Sequence, residues 1–418
     1  MRVTVVGGGI AGLTCALSLH AAGWEPRVCE AARTVEAVGV GINLLPHAVR
    51  ELAELGLAGG LAAIALPPRR LSYRDRAGEA VWEEPLGHAA GYHWPQYSVH
   101  RGRLQTLLLA AVRERLGPDA VRTGLRFRSF EELPNGVRAH FLDRTSGRPA
   151  TEDAEVLVGA DGIDSRVRAL LHPDEGPARG NGVHMWRGVA PHPHILDGRT
   201  IVVAGGTPGD KFVAYPIGDP AAEGGESLMN WVLEVRHGPS GRPPDGTARR
   251  ITPEEARAGL ASWRLPWIDP TALAERSPAI VEYPMLDRDP LPRWSFGRVT
   301  LLGDAAHPMY PMGMNGGSQS MVDARVLAWC LAREKDPVAA LRRYDRIRRP
   351  IVNAVVLANR ELGPEEIIAR AEDHGGPLPA RRAEELATRY RELARATVTQ
   401  VNTHASWTVP HRPATPAP

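Results

Sequence analysis

One glycine-rich turn near the start of the chain limits what the rest can fold into. Gly7-Gly8-Gly9-Ile10-Ala11-Gly12 has G-x-G-x-x-G spacing and follows Val3 to Val6, a short apolar run typical of a parallel strand buried on both faces. Apolar residues on helical spacing extend from Ile10 to Ala22, and a second strand is predicted from Arg27 to Glu30. Strand, helix and strand in this order form the β-α-β unit of an α/β fold.

The turn lies where the pyrophosphate of a dinucleotide would bind. Gly7 allows the tight turn, Gly9 lets the pyrophosphate approach the backbone, and Gly12 lets the helix lie close to the sheet. Glu30, at the end of the second strand, is the acid expected to accept hydrogen bonds from ribose hydroxyls. The motif alone does not separate FAD from a nicotinamide dinucleotide, and a purely structural glycine turn is the alternative.

Composition narrows the class of protein. The 418 residues allow two or three domains, and 43% hydrophobic with 23% charged residues is ordinary for a globular protein. A formal net charge of +2 is too balanced to indicate a nucleic-acid binder. Three cysteines without C-x-x-C spacing indicate thiols in a reducing compartment. Glycines interrupt the N-terminal apolar stretch, and no apolar run reaches the roughly 20 residues of a membrane helix, so we expect a cytoplasmic protein.

The order of predicted elements indicates a Rossmann-like α/β domain that is interrupted. Short strand candidates rich in Trp, Tyr and Val occupy about residues 182–291 and favour a mostly antiparallel β-sheet. The α/β pattern returns near Arg298, and a long helix is predicted from Gly317 to Ala332. The predicted parts are the first portion of the dinucleotide domain at 1–180 with inserted strands at about 69–100, a β-sheet substrate domain at 181–292, the return of the first domain at 293–360, C-terminal helices at 361–402 and a flexible tail at 403–418.

Two further motifs follow the first. Gly159-Ala160-Asp161-Gly162-Ile163-Asp164-Ser165-Arg166-Val167-Arg168 comes after a buried strand, and Gly303-Asp304-Ala305-Ala306-His307 with Pro311 comes later in the chain. In this order and at these separations, the three motifs resemble the single-component FAD-dependent aromatic hydroxylases of the 4-hydroxybenzoate and salicylate hydroxylase type. The resemblance spans almost the whole chain. Segments at 39–43, 95–102, 185–189 and 283–292 are similar to members of that family that act on phenazines.

The resemblance implies a bound FAD, a visiting NADPH or NADH, and dioxygen, with an aromatic ring hydroxylated through a flavin C4a-hydroperoxide. Pro311 would shape the oxygen site, and His307 is the candidate base. The pocket for the ring would be lined by Trp186, Tyr215, Trp231 and Met312. The implied cofactor-binding residues are Gly7, Gly9, Gly12, Glu30, Ala31, Gly41, Arg101, Leu125, Asp161, Asp304, Gly313, Met314, Asn315 and Gly316.

Several of these residues have a structural alternative. Asp161 is also placed to cap the following helix, and Arg103 competes with Arg101 for the flavin contact. His307 lies inside a motif where the family uses it structurally. Each aromatic residue is individually better explained as core packing, and Gly313 to Gly316 depart from the commoner G-x-G-x-N phase, which leaves their backbone donors open.

The expected substrate is a small aromatic compound, fused-ring or salicylate-like, which loses a carboxyl group as carbon dioxide if it is hydroxylated at the carbon that bears it. Arg187 or Arg288 is the candidate partner of such a carboxylate. The dispersed histidines argue against a metal site. We expect neither a nucleic acid nor a membrane as a partner. The expected oligomeric state is a monomer or a homodimer. A flavin oxidase, a halogenase or a non-redox binding protein on the same fold remains an alternative.

Overall fold

A computed structural model describes residues 1–36, 39–205, 210–218, 225–236, 248–361 and 365–409. Its helices, in chain order, are α1 (Ile10–Ala21), α2 (Pro46–Glu54), α3 (Ala58–Ile64), α4 (Arg101–Leu116), α5 (Arg166–Leu171), α6 (Pro253–Leu260), α7 (Pro270–Glu275), α8 (Asn315–Arg333), α9 (Pro337–Arg360), α10 (Glu366–His374), α11 (Ala380–Leu393) and α12 (Val398–Thr403).

The strands are more numerous and mostly short. In chain order they are β1 (Arg2–Val6), β2 (Glu25–Cys29), β3 (Gly41–Leu44), β4 (Ala65–Leu66), β5 (Arg70–Arg74), β6 (Ala80–Pro85), β7 (Tyr97–His100), β8 (Val121–Arg122), β9 (Leu125–Leu133), β10 (Gly136–Asp143), β11 (Pro149–Ala154), β12 (Val156–Gly159), β13 (Arg179–His192), β14 (Thr200–Gly205), β15 (Asp210–Pro216), β16 (Ser227–Arg236), β17 (Arg249–Arg250), β18 (Ile280–Asp287), β19 (Ser295–Phe296) and β20 (Val299–Leu301).

Strands from distant parts of the chain meet in a six-stranded sheet of order β19-β20-β12-β1-β2-β8. All neighbouring strands are parallel except β19 and β20. Apolar residues fill these strands because the sheet is covered on both faces, and α1 and α8 pack together on it. Strand order reverses between β1 and β12, and the crevice beyond their carboxyl ends is where ligands bind in open α/β sheets.

An eight-stranded sheet of order β17-β18-β13-β16-β15-β14-β5-β6 forms the second layer. Its pairs are antiparallel except β14 with β5, which are parallel. Strands β5 and β6 come from the early part of the chain, so the sheet is not made from the middle segment alone. Because side chains alternate along a strand, each strand presents one set of residues to each face. One face packs on α6 and α7 around Leu260 and Leu273.

The α/β fold class is confirmed, and α4 has the predicted bounds. The long helix predicted from Gly317 begins two residues earlier, at Asn315. Helices α6 and α7 were not expected within the β-rich segment. Their start signals are present, since Thr252 forms a capping box and Asp269 caps α7 before a proline. The predicted domain boundaries stay predictions, and most of the predicted tail, residues 410–418, lies outside the described residues.

Two further features bear on the class of protein. Within the described ranges, every helix is too short or too polar to cross a membrane. The three cysteines, Cys15, Cys29 and Cys330, are buried and free, and burial raises the pKa of the Cys29 thiol to about 12. They are therefore inert core residues at neutral pH.

Candidate active site

The glycine turn is shaped by contacts that no larger residue could make. A Cβ on Gly7 would lie 2.4 Å from the Ala160 carbonyl oxygen, and one on Gly12 would lie 2.0 Å from the Gly7 carbonyl oxygen. Gly9 differs, because no atom lies within 4 Å of the position its Cβ would take. It is also the N-cap residue of α1, a helix end that no side chain caps. An anion can therefore approach the N-terminus of α1 over Gly9.

Glu30 holds the mouth of this turn together. One carboxylate oxygen accepts a hydrogen bond from the Gly8 N–H at 2.6 Å, and the other accepts one from the Ala32 N–H at 2.7 Å. The Leu125 N–H donates to the Glu30 carbonyl at 2.8 Å, and the Ala31 carbonyl accepts from Arg144. The structure thus brings Glu30, Ala31 and Leu125 together beside the turn, and their contact with a dinucleotide stays a prediction.

Asp161 follows β12, and its side chain turns back to cap α5. It accepts hydrogen bonds from the Ser165 hydroxyl at 2.5 Å and the Arg166 N–H at 2.8 Å. Burial raises the pKa of this carboxyl. These contacts match the capping alternative, while a cofactor contact by Asp161 stays a prediction.

Arg168, in the same motif, is buried and connects it to the third motif. Its guanidinium forms an ion pair with Glu175 at 2.6 Å and donates to the Ala305 and Ala306 carbonyls at 3.2 and 2.8 Å. It fixes the backbone next to Asp304, whose side chain is exposed beyond the end of β20. Asp304 is therefore accessible, and its contact with a cofactor stays a prediction.

His307 has the surroundings of a structural residue. Its Nε2 lies 2.5 Å from Oδ2 of Asp323, and the imidazole is fully buried. The other Asp323 oxygen accepts from the Arg348 guanidinium at 2.7 Å. Burial by itself would raise the pKa of Asp323, but His307 and Arg348 outweigh it and lower the pKa. Both Asp323 oxygens have partners within the chain, while Nδ1 of His307 is buried without a hydrogen bond to any described residue. The pairing of Nε2 with Asp323 favours the structural alternative for His307 over proton transfer.

The loop from Pro311 to Gly316 starts α8. Gly313 and Met314 have φ of 62° and 58°, so two successive residues are left-handed, which is unusual for methionine. Pro311 is exposed, Met312 is buried, and Asn315 opens the helix. A Cβ on Gly317 would lie 2.8 Å from the Ile42 side chain. The loop and the helix N-terminus therefore face β3 closely.

The face of the eight-stranded sheet that does not pack on α6 and α7 is its inner face. Gly41, the first residue of β3, contacts this inner face. Its N–H donates to Oδ1 of Asn230 at 2.7 Å, and its carbonyl accepts from the Arg187 guanidinium at 3.1 Å. A Cβ here would lie 2.8 Å from both Asn230 and Tyr215, so only glycine fits. Arg101 lies against the preceding Gly39, and its N–H donates to the Val40 carbonyl. The predicted residues Gly41, Arg101 and Tyr215 thus meet at one corner.

Arg187 is the unusual group of this corner. Its Nε is buried and makes no hydrogen bond with any described residue. Burial lowers the pKa of its guanidinium, which contacts the Tyr215 hydroxyl. No carboxylate in the described ranges forms an ion pair with it. Arg288, the other candidate, is already engaged, donating to the Ile163 and Gly176 carbonyls near Glu175.

The structure argues against the prediction that Trp186 and Trp231 line the ring pocket. Both point to the opposite face of the sheet, into the cluster that packs on α6 and α7. Trp231 donates its indole N–H to Ser277, and Trp186 donates to Glu282. Their strand neighbours Arg187 and Asn230 take the inner face because side chains alternate.

Tyr215 and Met312, the other two predicted pocket residues, lie on the inner side. Tyr215 belongs to an apolar cluster with Leu71 and Tyr73 that Met314 joins. Met312 packs with Val183 and Tyr310. Their contact with a substrate stays a prediction.

A cavity of about 210 Å³ lies between the 313–315 loop, the inner sheet face and α11. Its walls are mainly apolar, with an ion pair of 2.6 Å between Glu84 and Arg391 on one side. Its lining includes Leu71, Tyr73, Leu86, Met314 and Tyr390. A flat apolar ring fits such a wall composition.

The residues present fit FAD. A pyrophosphate has the open approach over Gly9, Glu30 lies beside the turn for ribose hydroxyls, and exposed Asp304 lies at the same sheet edge for the ribityl chain. The N-terminus of α8 favours negative charge on a flavin ring. For metals the described residues contain no group of three His, Cys, Asp or Glu side chains suited to a metal ion.

Sequence reasoning missed the side chains that connect motifs. Asn230 binds the backbone of Gly41, 189 residues away, and Asp323 joins His307 to Arg348. Tyr390 packs on Gly313 from a C-terminal helix. Each is an ordinary polar residue in a strand or helix, and no local pattern marks it.

The chain is similar to known proteins over most of its length. The family model described as "FAD binding domain" matches residues 1–359. The chain is 46% identical over 371 residues to the phenazine 1,6-dicarboxylic acid hydroxylase PhzS of Lysobacter antibioticus, covering 86% of this chain and 89% of that protein. It is 37% identical over 374 residues to the 3-amino-4-hydroxybenzoate 2-monooxygenase PtnB3 of Streptomyces platensis, covering 87% and 88%.

Among solved structures, a single-residue variant of Klebsiella pneumoniae HpxO complexed with FAD is similar with a TM-score of 0.71 and 26% identity, covering 96% of both chains. A salicylate hydroxylase substrate complex has the same fold, with a TM-score of 0.72, 22% identity and 99% of both chains covered.

Proposed function

This chain belongs to the family of FAD-dependent aromatic hydroxylases, and from that premise we propose that its substrate is a fused-ring aromatic carboxylic acid. The protein is an enzyme, a flavoprotein monooxygenase that uses NAD(P)H and dioxygen to hydroxylate an aromatic compound. What distinguishes members of such a family is the pocket rather than the fold.

The observation that carries the proposal is Arg187. A guanidinium with a buried, unpaired Nε and no ion pair to a described carboxylate is costly unless a ligand supplies an anion. It lies beside Gly41 and Tyr215, at the corner where β3 meets the inner sheet face. A substrate carboxylate would complete the pair, since arginine binds carboxylates with two parallel hydrogen bonds.

The apolar cluster next to this corner supports the proposal that the substrate has fused rings. Tyr215 and Met314 join the cavity-lining residues Leu71 and Tyr73 in one cluster, so the inner sheet face is apolar from the corner to the cavity. A fused ring lies along this face with its carboxylate toward Arg187. The 46% identical relative acts on a phenazine dicarboxylic acid, which has this chemistry.

Bound FAD supplies the transfer of reducing equivalents from NAD(P)H and the activation of dioxygen. This chain's residues hold the acid, orient the ring and exclude water with the apolar cluster. Attack at the carbon that bears the carboxylate converts ArCOO⁻, O2, NAD(P)H and two protons into ArOH, CO2, NAD(P)⁺ and water. The C–COO⁻ bond breaks, one oxygen atom of O2 becomes the hydroxyl group on that ring carbon, and the other leaves as water.

We assign the cofactor as follows. The glycine turn, Glu30, Asp304 and the loop from Gly313 to Gly316 hold FAD. Only one G-x-G-x-x-G motif follows a strand, so NADPH or NADH visits without a second Rossmann site. Pro311 shapes the oxygen site at the loop, and His307 supports the motif through Asp323. A cytoplasmic monomer or homodimer remains our expectation.

The test uses the FAD-loaded protein with NADPH and NADH in separate assays. The substrate panel pairs each acid with its ring lacking the carboxyl group: phenazine carboxylic acids with phenazine, and salicylate with phenol. We expect coenzyme consumption to rise with a phenazine carboxylic acid and mass spectrometry to find hydroxyl in place of carboxyl.

Product formation with a one-ring acid and none with the fused rings would contradict the fused-ring proposal and favour the salicylate-like alternative, which the 37% identical aminohydroxybenzoate monooxygenase supports. Equal turnover of the acid and its carboxyl-free ring would contradict the role of Arg187. Peroxide as the sole product of every assay would favour the oxidase alternative.

A further inference from the structure

Tyr390, on the C-terminal helix α11, packs directly on the loop that precedes α8. Its ring is 6% exposed, and a Cβ on Gly313 would lie 2.3 Å from the ring atom Cε1. The ring therefore occupies the space that a side chain at position 313 would need. Tyr390 lies beyond residues 1–359, the part of the chain that the family model matches.

The hydroxyl of Tyr390 is the centre of a small polar network. Its oxygen lies 2.6 Å from Oδ1 of Asn359, to which it donates, and 3.2 Å from the Met312 carbonyl. It accepts a hydrogen bond from Nδ2 of Asn315 at 3.2 Å. Asn359 in turn donates to the Tyr310 carbonyl at 2.9 Å. Helices α9 and α11 thus contact the loop at positions 310, 312 and 315.

The backbone between these contacts is the part that needs support. Gly313 and Met314 are both left-handed, with φ of 62° and 58°, and a residue with a Cβ enters this region at a cost. The surrounding structure must outweigh that cost for the loop to keep its form. The ring of Tyr390 packs on Gly313, and its hydroxyl contacts Met312 and Asn315, the residues on either side of the left-handed pair.

We propose that Tyr390 is a positioning residue for the flavin loop. It keeps the left-handed turn at Gly313 and Met314 in place, and so keeps the loop N–H groups and the N-terminus of α8 aimed at the flavin ring. This inference rests on the proposed assignment of Gly313 to Gly316 to FAD. It gives the C-terminal helices a role in how the flavin is held.

The test compares two buried tyrosines that each lose only a hydroxyl. Tyr390→Phe keeps the ring over Gly313 and removes the network. Tyr344→Phe is the matched control, because its hydroxyl donates to the Leu301 carbonyl at 3.1 Å inside a fully buried site. Tyr390→Leu removes the ring as well. For each holoenzyme we would measure the FAD dissociation constant, the absorption spectrum of the bound flavin, the unfolding temperature and the fraction of NAD(P)H lost as peroxide.

We expect Tyr390→Phe to raise the FAD dissociation constant about three- to tenfold, shift the flavin absorption bands and raise the peroxide fraction, with Tyr390→Leu larger in each. Tyr344→Phe should lower the unfolding temperature by a similar amount and leave the flavin measurements unchanged. Equal flavin measurements in the two phenylalanine variants would overturn the inference while the proposed function stands. A wild-type protein that binds no FAD would overturn both.

Discussion

Two charged sites in the interior are built in opposite ways. The Asp323 carboxylate is paired with His307 on one oxygen and Arg348 on the other, at 2.5 and 2.7 Å. The Nε of Arg187 is buried and has no hydrogen-bond partner among the described residues, and no described carboxylate forms an ion pair with its guanidinium. The Asp323 carboxylate is balanced by two partners from the chain itself, whereas no described carboxylate balances Arg187, which we propose to be the partner of a substrate anion.

The glycine turn repeats this contrast without charge. Gly12 is filled by the chain itself, since a Cβ would lie 2.0 Å from the Gly7 carbonyl oxygen. Gly9, three residues earlier, has nothing within 4 Å of that position. The same residue type therefore serves packing at one position and ligand approach at the other.

The largest expected loss of stability comes from removing the charge of Asp323. Asp323→Asn leaves His307 and Arg348 without their shared carboxylate in a buried site, which should lower the free energy of unfolding by about 3–5 kcal/mol. Urea unfolding measures it. Glu226→Gln is the control, because it breaks an exposed pair with Arg276 and should change the free energy of unfolding far less. Similar losses in both variants would contradict the pairing of Asp323 with His307 and Arg348.

Removing the Arg187 guanidinium should lower catalytic efficiency and leave stability largely unchanged. Arg187→Leu removes an uncompensated cation, so unfolding should be unchanged or harder, while kcat/KM for the carboxylic acid substrate falls about 100-fold, or about 2.7 kcal/mol. Steady-state kinetics with the acid and with its carboxyl-free ring check this. Arg288→Leu, at an arginine that binds backbone carbonyls and Glu175, should leave kcat/KM near wild type. An equal loss in both variants would remove Arg187 as the anion partner.

A buried histidine near Arg348 gives a pH test. Burial lowers the pKa of His47 to about 3, with Arg348 and Arg50 adding to the effect, and neither ring nitrogen has a partner among the described residues. The unfolded chain takes up the proton below about pH 6.5 and the folded protein does not, so stability falls as pH drops from 6.5 toward 3.

The expected loss from His47 is about 2 kcal/mol at pH 5. His47→Leu should abolish this part of the slope, as seen by urea unfolding at pH 7.5 and pH 5. An unchanged slope in the variant would mean that His47 titrates alike in both states.

The smallest effect should appear at Gly9. Gly9→Ala has an extended backbone that accepts alanine, so the FAD-free protein should unfold as wild type does, while the FAD dissociation constant rises about tenfold, or about 1.4 kcal/mol. Gly12→Ala is the counterpart and should destabilise the protein without FAD. Flavin fluorescence and urea unfolding separate the two. A reversed pattern would exchange the roles given to these glycines.

The local geometry of the glycine turn could be predicted closely from sequence, while the roles of its residues toward FAD stay predictions. The glycine turn, Glu30 and the α1 helix are local, and their spacing follows from how one strand passes into one helix. Asp304 at the end of β20 was placed by the same reasoning. Short motifs are predictable because the contacts that shape them are made within a few residues.

The substrate side was predicted less well for a physical reason. Alternation along β13 and β16 shows that Trp186 and Trp231 share a face opposite to Arg187 and Asn230. It does not show which face meets the rest of the protein. That choice is made by α6 and α7, which pack on the tryptophan face and were themselves not expected.

By itself, the sequence determined the α/β class, the dinucleotide turn and membership of a flavin hydroxylase family, because these depend on local spacing and ordered motifs. Tertiary structure alone decided that Arg187 has no carboxylate partner within the described ranges, that Asp323 pairs with both His307 and Arg348, and that Tyr390 rests on Gly313. Such contacts join residues far apart in the chain. They exist only when sheets and helices pack, and no pattern of neighbouring residues encodes them.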